Sequence, residues 1–91
     1  MALVKIPPVL RSATNDEKEV SASGSNVGDV LRSVVENFPD TERQLFGPDG
    51  GLNRYVNVYL NDEDVRVLEG LDTAVEDSDT VMILPAMAGG R

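Results

Sequence analysis

Apolar and polar residues alternate along several stretches of the chain, and a period of two predicts β-strands. The clearest stretch covers residues 54–60, where every second residue from Val56 to Leu60 is aliphatic. Further strands are predicted over residues 2–6, 18–23 and 80–85, with a short one over residues 65–67. The first two of these flank a polar turn over residues 12–17, so we expect a β-hairpin at the N-terminus.

One amphipathic helix is predicted after this hairpin. Its apolar positions recur at helical spacing and form a single stripe: Val27, Val30, Leu31, Val34 and Phe38. Asn26 is a suitable N-cap, and Pro39 predicts the end of the helix because it restricts the residue before it. Gly28 lowers helix propensity by about 1 kcal/mol relative to Ala, and a close approach to a strand would explain its presence. Residues 41–46 are expected to form a short helical turn.

The order of these elements is β-β-α-β-(β)-β, which predicts an α+β fold. A sheet of four or five strands with one main helix packed across it buries the helix stripe against one sheet face. The 91 residues suffice for one domain, and we assign residues 1–85 to it. Residues 86–91 are predicted to form a flexible tail that ends Gly89-Gly90-Arg91.

The composition removes most kinds of side-chain catalysis. The chain has 16 acidic and 8 basic residues, for a net charge of −8, and it has no Cys, His or Trp. Thiolate chemistry, disulfides, Cys/His metal sites and a His general base all require atoms that the chain lacks. The negative charge also argues against nucleic acid and against an anionic membrane surface as partners.

The charge and the apolar stretches also bear on partners and location. Residues 49–91 carry 9 acidic and 3 basic groups, a net of 3 − 9 = −6, so we expect partners to dock through basic surfaces. No stretch of about 20 apolar residues is present. The first residues lack the charged start and long apolar core of a signal peptide. We therefore expect a cytoplasmic protein.

Two loops have the composition of ligand sites, but a simpler interpretation is favoured for each. The acidic turn over residues 61–64 offers oxygen ligands for a divalent cation but lacks the glycine of a calcium loop, so we favour a solvated turn. The same holds for Glu76, Asp77 and Asp79. Residues 47–51 are glycine-rich, yet no Lys-Ser/Thr pair follows them, so a flexible loop is favoured over a phosphate site. We expect no bound metal.

One face of the predicted sheet must stay uncovered by the single helix. Tyr59, Met82 and Leu84, together with Met87 of the tail, are therefore candidates for an exposed apolar patch on which a partner docks. The alternative is that most of these side chains belong to the core.

The C-terminal glycine pair is the most informative feature of the sequence. Without a Cβ atom, the backbone of Gly89 and Gly90 can enter a narrow channel in any conformation. At about 3.3 Å per residue, residues 86–90 reach roughly 17 Å, far enough to deliver a terminal carboxylate into the active site of another protein. The alternative is an ordinary frayed end.

These features together resemble the β-grasp, ubiquitin-like sulfur carriers of the ThiS, MoaD and CysO types, and most of all the actinobacterial CysO type. The stretches that carry the resemblance are residues 6–7, 20–24, 56–66 and 83–90. The segment NDEDVR, at residues 61–66, and the Gly-Gly tail are its most specific parts. The resemblance covers nearly the whole chain and implies a β-grasp fold.

The resemblance also implies a function as a protein co-substrate. In such carriers, an adenylating partner enzyme uses ATP with Mg to activate the terminal glycine carboxylate, and sulfur then displaces AMP to give a thiocarboxylate. For this chain the activated residue would be Gly90, and Met87, Ala88 and Gly89 would enter the partner active site. In the CysO type, the sulfur passes to a pyridoxal phosphate enzyme that makes cysteine, and a metalloprotease then releases the product. The carrier itself is then no enzyme and binds no cofactor.

The C-terminal residue departs from the family pattern. Such carriers work with a terminal Gly-Gly, whereas this chain ends at Arg91. We therefore expect that Arg91 is removed by proteolysis. Alternative roles are sulfur supply to molybdopterin, thiamin or secondary-metabolite synthesis. A ubiquitin-like modifier conjugated through Gly90 and a plain interaction domain are further alternatives.

Overall fold

The computed structural model describes residues 1–85 and places five strands and two helices in this part of the chain. The strands are β1 (Ala2–Lys5), β2 (Glu19–Ala22), β3 (Val56–Leu60), β4 (Glu63–Asp64) and β5 (Thr80–Pro85). The helices are α1 (Val27–Asn37) and α2 (Glu42–Leu45), and 3₁₀ turns cover Pro8–Thr14, Pro39–Thr41 and Gly70–Asp72. The predicted tail, residues 86–91, lies outside the described residues.

The five strands form one mixed sheet in the order β2-β1-β5-β3-β4. The outer pairs are antiparallel, and β1 pairs with β2 as the sequence predicts. The central pair, β1 with β5, is parallel and joins the two ends of the domain. Helix α1 belongs to the crossover that a parallel pair requires. The predicted α+β fold of the β-grasp type, with one main helix packed across a mixed sheet, is confirmed.

The core lies between the helix stripe and one face of the sheet. Alternate residues of the three central strands point into it, and Val4, Val58 and Val81 have no exposed surface. The helix contributes the stripe that its spacing predicts, since Val27, Val30, Leu31 and Val34 are all buried. Phe38, the last predicted member, is half-buried against the core.

Helix α1 begins where the sequence predicts. The side-chain oxygen of Asn26 accepts a hydrogen bond of 2.7 Å from the backbone N–H of Asp29, which satisfies one free donor of the first turn. Just before this cap, Gly24 has a φ of +154°. A Cβ atom at Gly24 would lie 2.6 Å from the backbone nitrogen of Val30, so the chain can enter the helix this closely only with glycine.

The region after β3 differs from the prediction. Residues 65–67 do not form the fourth strand; the strand is Glu63–Asp64, which pairs with β3. Asn61 and Asp62 both have positive φ, and this two-residue turn fits the twist of the flanking strands. The short hairpin ends at Val65, which is fully buried, while Val67 turns outward and is 80% exposed. The alternation of the two valines was therefore misleading.

Three other boundaries or contacts also differ. Strand β3 begins at Val56 rather than residue 54, because the backbone turns at Asn53, whose side chain accepts a hydrogen bond from the backbone N–H of Tyr55. The predicted turn over residues 12–17 is partly replaced by a 3₁₀ segment, which covers Pro8–Thr14. The close neighbour of Gly28 is not a strand. A Cβ there would lie 3.2 Å from the carbonyl oxygen of Leu71 in the last 3₁₀ turn.

The close approach at Gly24 predicts a large loss of stability in Gly24→Ala. The added methyl group would meet backbone atoms of α1 and force strained dihedrals, so we expect the free energy of unfolding to fall by roughly 1–3 kcal/mol. Denaturant unfolding of both chains would measure the difference. Gly51→Ala is the matched control, because no atom lies closer than 3.4 Å to a Cβ there. An equal loss in the two variants would contradict this account of Gly24.

Candidate functional site

The predicted patch residues lie together on the sheet face that α1 leaves uncovered. Tyr59 of β3 and Met82 of β5 are directly opposite each other in the antiparallel pair, and Leu84 follows two residues along β5 on the same face. Tyr59 and Met82 are half-buried by their neighbours on the sheet, and Leu84 is 38% exposed. None of the three belongs to the core, so they form a continuous apolar strip. Its role as a docking patch stays a prediction.

Charged and polar side chains border this strip on both sides. Lys5 of β1 is the parallel-strand partner of Met82, and Glu19 of β2 stands opposite Lys5. On the other side, Asn57 lies opposite Leu84 and accepts a hydrogen bond of 2.9 Å from the guanidinium of Arg66. An apolar centre with a polar rim is the usual organisation of a protein–protein contact surface.

Strand β5 ends next to this strip. Pro85, the last described residue, pairs with Val56 at the end of the antiparallel ladder and is exposed. The described part of β5 therefore ends at a point that is open to solvent. The predicted site residues Met87, Ala88, Gly89, Gly90 and Arg91 themselves lie outside the described residues.

The acidic turn after β3 is hydrogen-bonded to the start of β5, at the end of the strand away from Pro85. The side-chain amide of Asn61 donates a hydrogen bond of 2.9 Å to Asp79, and its oxygen accepts one of 3.0 Å from the backbone N–H of Thr80. The second oxygen of Asp79 accepts a bond of 2.8 Å from the N–H of Glu76. These bonds close the turn before β5. The sequence gives no signal for this pairing, because its partners are 18 positions apart.

The hydrogen bonds to Asp79 also change its acidity. The backbone N–H of Glu76 and the amide of Asn61 both stabilise the charged carboxylate, and together they lower the pKa of Asp79 below its ordinary value of 3.8. Within residues 1–85, no three acidic side chains are grouped so that they would hold a metal ion.

The glycine-rich loop over residues 47–51 bonds to itself. The N–H of Gly47 donates to the carbonyl of Gly51 at 2.7 Å, and the N–H of Gly51 donates to a carboxylate oxygen of Asp49 at 3.0 Å. Gly50 donates to Gly47 in turn. With these amides already bonded, the loop offers no row of free donors of the kind that binds phosphate.

Among residues 1–85, no helix has the length and apolar character required to cross a membrane. The longest helix is α1, with 11 residues.

Comparison with known proteins gives a consistent result. The model of the ThiS family matches residues 4–90. The sulfur carrier protein CysO of Mycobacterium tuberculosis is 48% identical over 89 residues, which cover 96% of each chain. The crystal structure of the Amycolatopsis orientalis BexX/CysO complex contains a chain with a TM-score of 0.90 and 42% identity, covering 99% of this chain and all of the other. Small archaeal modifier protein 3 of Haloferax volcanii is 39% identical over 66 residues, 72% of this chain and 71% of that protein.

The bonds to Asp79 predict a specific dependence of stability on pH. Because the pKa of Asp79 is lower in the folded state than in the unfolded chain, its charged form stabilises the fold above about pH 4, and this contribution disappears as the pH falls through the folded pKa. We therefore expect Asp79→Asn to melt at a lower temperature than the wild type at neutral pH, with the gap closing towards about pH 2.

Thermal melts between about pH 7 and about pH 2 would measure this gap. Asp62→Asn, an exposed change of the same charge in the neighbouring turn, is the control. A gap between Asp79→Asn and the wild type that is constant over the whole pH range would contradict the assignment.

Proposed function

Because the chain belongs to the ThiS family and is a sulfur carrier protein of the CysO type, we propose that its reactive group is the main-chain carboxylate of Gly90. The observation that carries the proposal is the family match, which extends through the Gly-Gly pair to Gly90 and stops before Arg91. The exposed end of β5 at Pro85 supports it, since it presents the start of the tail to a partner. Removal of Arg91 by a protease frees the Gly90 carboxylate.

The proposed chemistry takes place in the active sites of partner enzymes. A carboxylate oxygen of Gly90 attacks the α-phosphorus of ATP, which is bound with Mg by an adenylating partner, and pyrophosphate leaves. Hydrosulfide, provided by the sulfurtransferase activity of the partner, then attacks the acyl carbon. The carbon–oxygen bond breaks, AMP departs with that oxygen, and a thiocarboxylate remains. This chain supplies the tail and a docking surface, so the lack of Cys and His is no obstacle.

The proposed destination of the sulfur is cysteine biosynthesis, and the similarity to CysO of Mycobacterium tuberculosis supports it. In this proposal, a pyridoxal phosphate-dependent cysteine synthase accepts the sulfur, and a metalloprotease processes the product. The complex of an Amycolatopsis CysO with BexX supports the idea that partner proteins bind such carriers directly. Supply to molybdopterin, thiamin or a secondary metabolite uses the same thiocarboxylate. We propose the cytoplasm as the site of these reactions.

A second candidate function is protein modification through Gly90. The similarity to small archaeal modifier protein 3 of Haloferax volcanii favours it. Activation by adenylation is common to both functions, and they differ in the nucleophile that follows, which is sulfur for a carrier and a lysine amine for a modifier.

The carrier function predicts a defined change of mass. With the adenylating enzyme, ATP and a sulfur donor, a chain that ends at Gly90 should gain the mass of one sulfur-for-oxygen exchange, located at Gly90 by fragmentation. A chain that lacks Gly89 and Gly90 should show no exchange but the same melting temperature, because both residues lie beyond the last strand. Higher-mass adducts on other proteins, without the sulfur exchange, would favour the modifier. A chain that shows neither product would contradict both functions.

The departure at Arg91 gives a separate prediction. Incubated with the cognate processing protease, the full chain should lose the mass of one arginine, and only the shortened product should then accept sulfur. Intact-mass spectrometry after each step would follow both events. Sulfur exchange on a chain that still carries Arg91 would contradict the requirement for removal.

A further inference from the structure

Three arginines are gathered where β5 ends, around the side chain and backbone of Asn53. The amide of Asn53 donates a hydrogen bond of 3.0 Å to the carbonyl of Arg43, and its carbonyl accepts one of 3.0 Å from the guanidinium of Arg66. Arg54 follows Asn53 directly in the chain. Since β3 starts three residues after Asn53 and pairs with the end of β5, these arginines stand beside the exit of the tail.

The arginine side chains are exposed and partly fixed in place. The guanidinium of Arg54 stacks on the ring of Tyr55 at 5.1 Å from its centroid and donates a bond of 3.2 Å to its hydroxyl. Arg66 is held by Asn57 as well as by Asn53. Within residues 1–85, the ion pair that forms is between the N-terminal amine and Asp77, at the other end of the sheet. The three guanidinium groups thus remain available to carboxylates from outside.

An apolar groove of about 190 Å³ opens beside Arg43 and Asn53. Most of its lining is apolar and includes Pro7, Val9, Leu10, Tyr55 and Pro85, and the polar residues that line it are Arg43, Gln44 and Asn53. Val9 is 56% exposed and Tyr55 is 52% exposed, so apolar surface faces solvent here. The volume is below the roughly 300 Å³ at which small-molecule pockets begin, and it suits one apolar side chain of a protein partner.

A group of acidic side chains lies at the other end of β5. Asp79 and Glu76 close the turn before Thr80, and Asp62 and Glu63 lie in the turn next to it, where Asn61 bonds to Thr80. The six residues of β5 separate the two ends by roughly 17 Å at 3.3 Å per residue. The two ends of β5 therefore differ in charge, with the three arginines near Pro85 and these four acidic residues near Thr80.

We propose that the surface formed by Arg43, Arg54 and Arg66 around the groove docks an acidic segment of the adenylating partner. This segment carries carboxylates for the arginines and one apolar side chain for the groove. The partner then surrounds the exit of the tail, and the distant acidic end keeps the carrier oriented with the tail foremost. The inference rests on the proposed function for the identity of the partner, and it assigns the chemistry of the surface that meets the tail.

The test is the rate of association between the wild-type chain and the adenylating enzyme, compared with the double variant Arg43→Glu/Arg54→Glu. We expect the on-rate of the double variant to fall at least about tenfold at low salt, since charge reversal at a contact acts mainly on the rate of encounter. The difference should shrink at about 1 M salt, where the Debye length is about 3 Å. Both changes are on exposed side chains, and circular dichroism would confirm that the fold is retained.

Two controls separate this surface from general charge effects. Lys18→Glu, compared with the single variant Arg54→Glu, makes the same change of net charge at an exposed residue just before β2, and it should associate faster than Arg54→Glu. Asp62→Lys/Glu63→Lys reverses charge at the acidic end and should not slow association. If the acidic-end variant slows association and the arginine variant does not, the partner docks through a basic surface and the inference is overturned.

Sulfur exchange on the wild-type chain, measured in parallel, keeps the two proposals distinct. If the wild-type chain undergoes sulfur exchange and the arginine variant associates as fast as the wild type, the docking inference is overturned and the carrier function is retained. If the arginine variant associates more slowly and the wild-type chain undergoes no sulfur exchange, the docking inference is supported and the carrier function is contradicted. Val9→Ser and a chain truncated at Pro85 test the groove. If Val9→Ser associates as fast as the wild type and the truncated chain melts at a lower temperature than the full chain, the groove binds the carrier's own tail and the proposed contact is overturned.

Discussion

The parallel pairing of β1 with β5 is the contact on which the rest of the domain depends. It brings together the first and the last strand of the described chain, and its central pair, Val4 and Val81, is completely buried. Each of the two strands also pairs with a second neighbour, so the N-terminal hairpin and the β3–β4 hairpin become one sheet only through this contact. Helix α1 then covers the face that the joined strands create. Without β5 in the centre, neither hairpin has enough apolar surface to be stable by itself.

The central position of β5 also determines how the protein presents its tail. A strand held on both sides ends at a defined point, and Pro85 therefore marks a fixed origin for the residues that follow. A tether with a fixed origin loses less freedom on docking than one that starts from a loose segment, because fewer residues must be ordered.

The charge distribution shows why a net value is an incomplete description of a small protein. A net charge of −8 predicts attraction to basic surfaces, yet the strand order places a group of four acidic residues at one end of β5 and three arginines at the other. The hydrogen bonds of Asn53 and Asn61 hold these two ends in shape, one beside the exit of the tail and one at the start of β5. Long-range steering responds to the dipole as well as to the sum of charges.

The sequence by itself determined the elements whose signal is local. The spacing of the valines and leucines specifies α1, Asn26 specifies its start, and alternation specifies β1, β2, β3 and β5, because each pattern is read within one turn or one strand. The sequence left open whether Tyr59, Met82 and Leu84 belong to the core, and the tertiary structure places them outside it. What only the tertiary structure decided depends on residues far apart in sequence. Val65 and Val67 alternate like a strand. The tight turn at Asn61 and Asp62, however, places Glu63 and Asp64 next to β3, so these two residues pair with it instead. The bond between Asn61 and Asp79, and the gathering of three arginines around Asn53, arise only when the strands are side by side, and no periodicity in the chain records which strands will be neighbours.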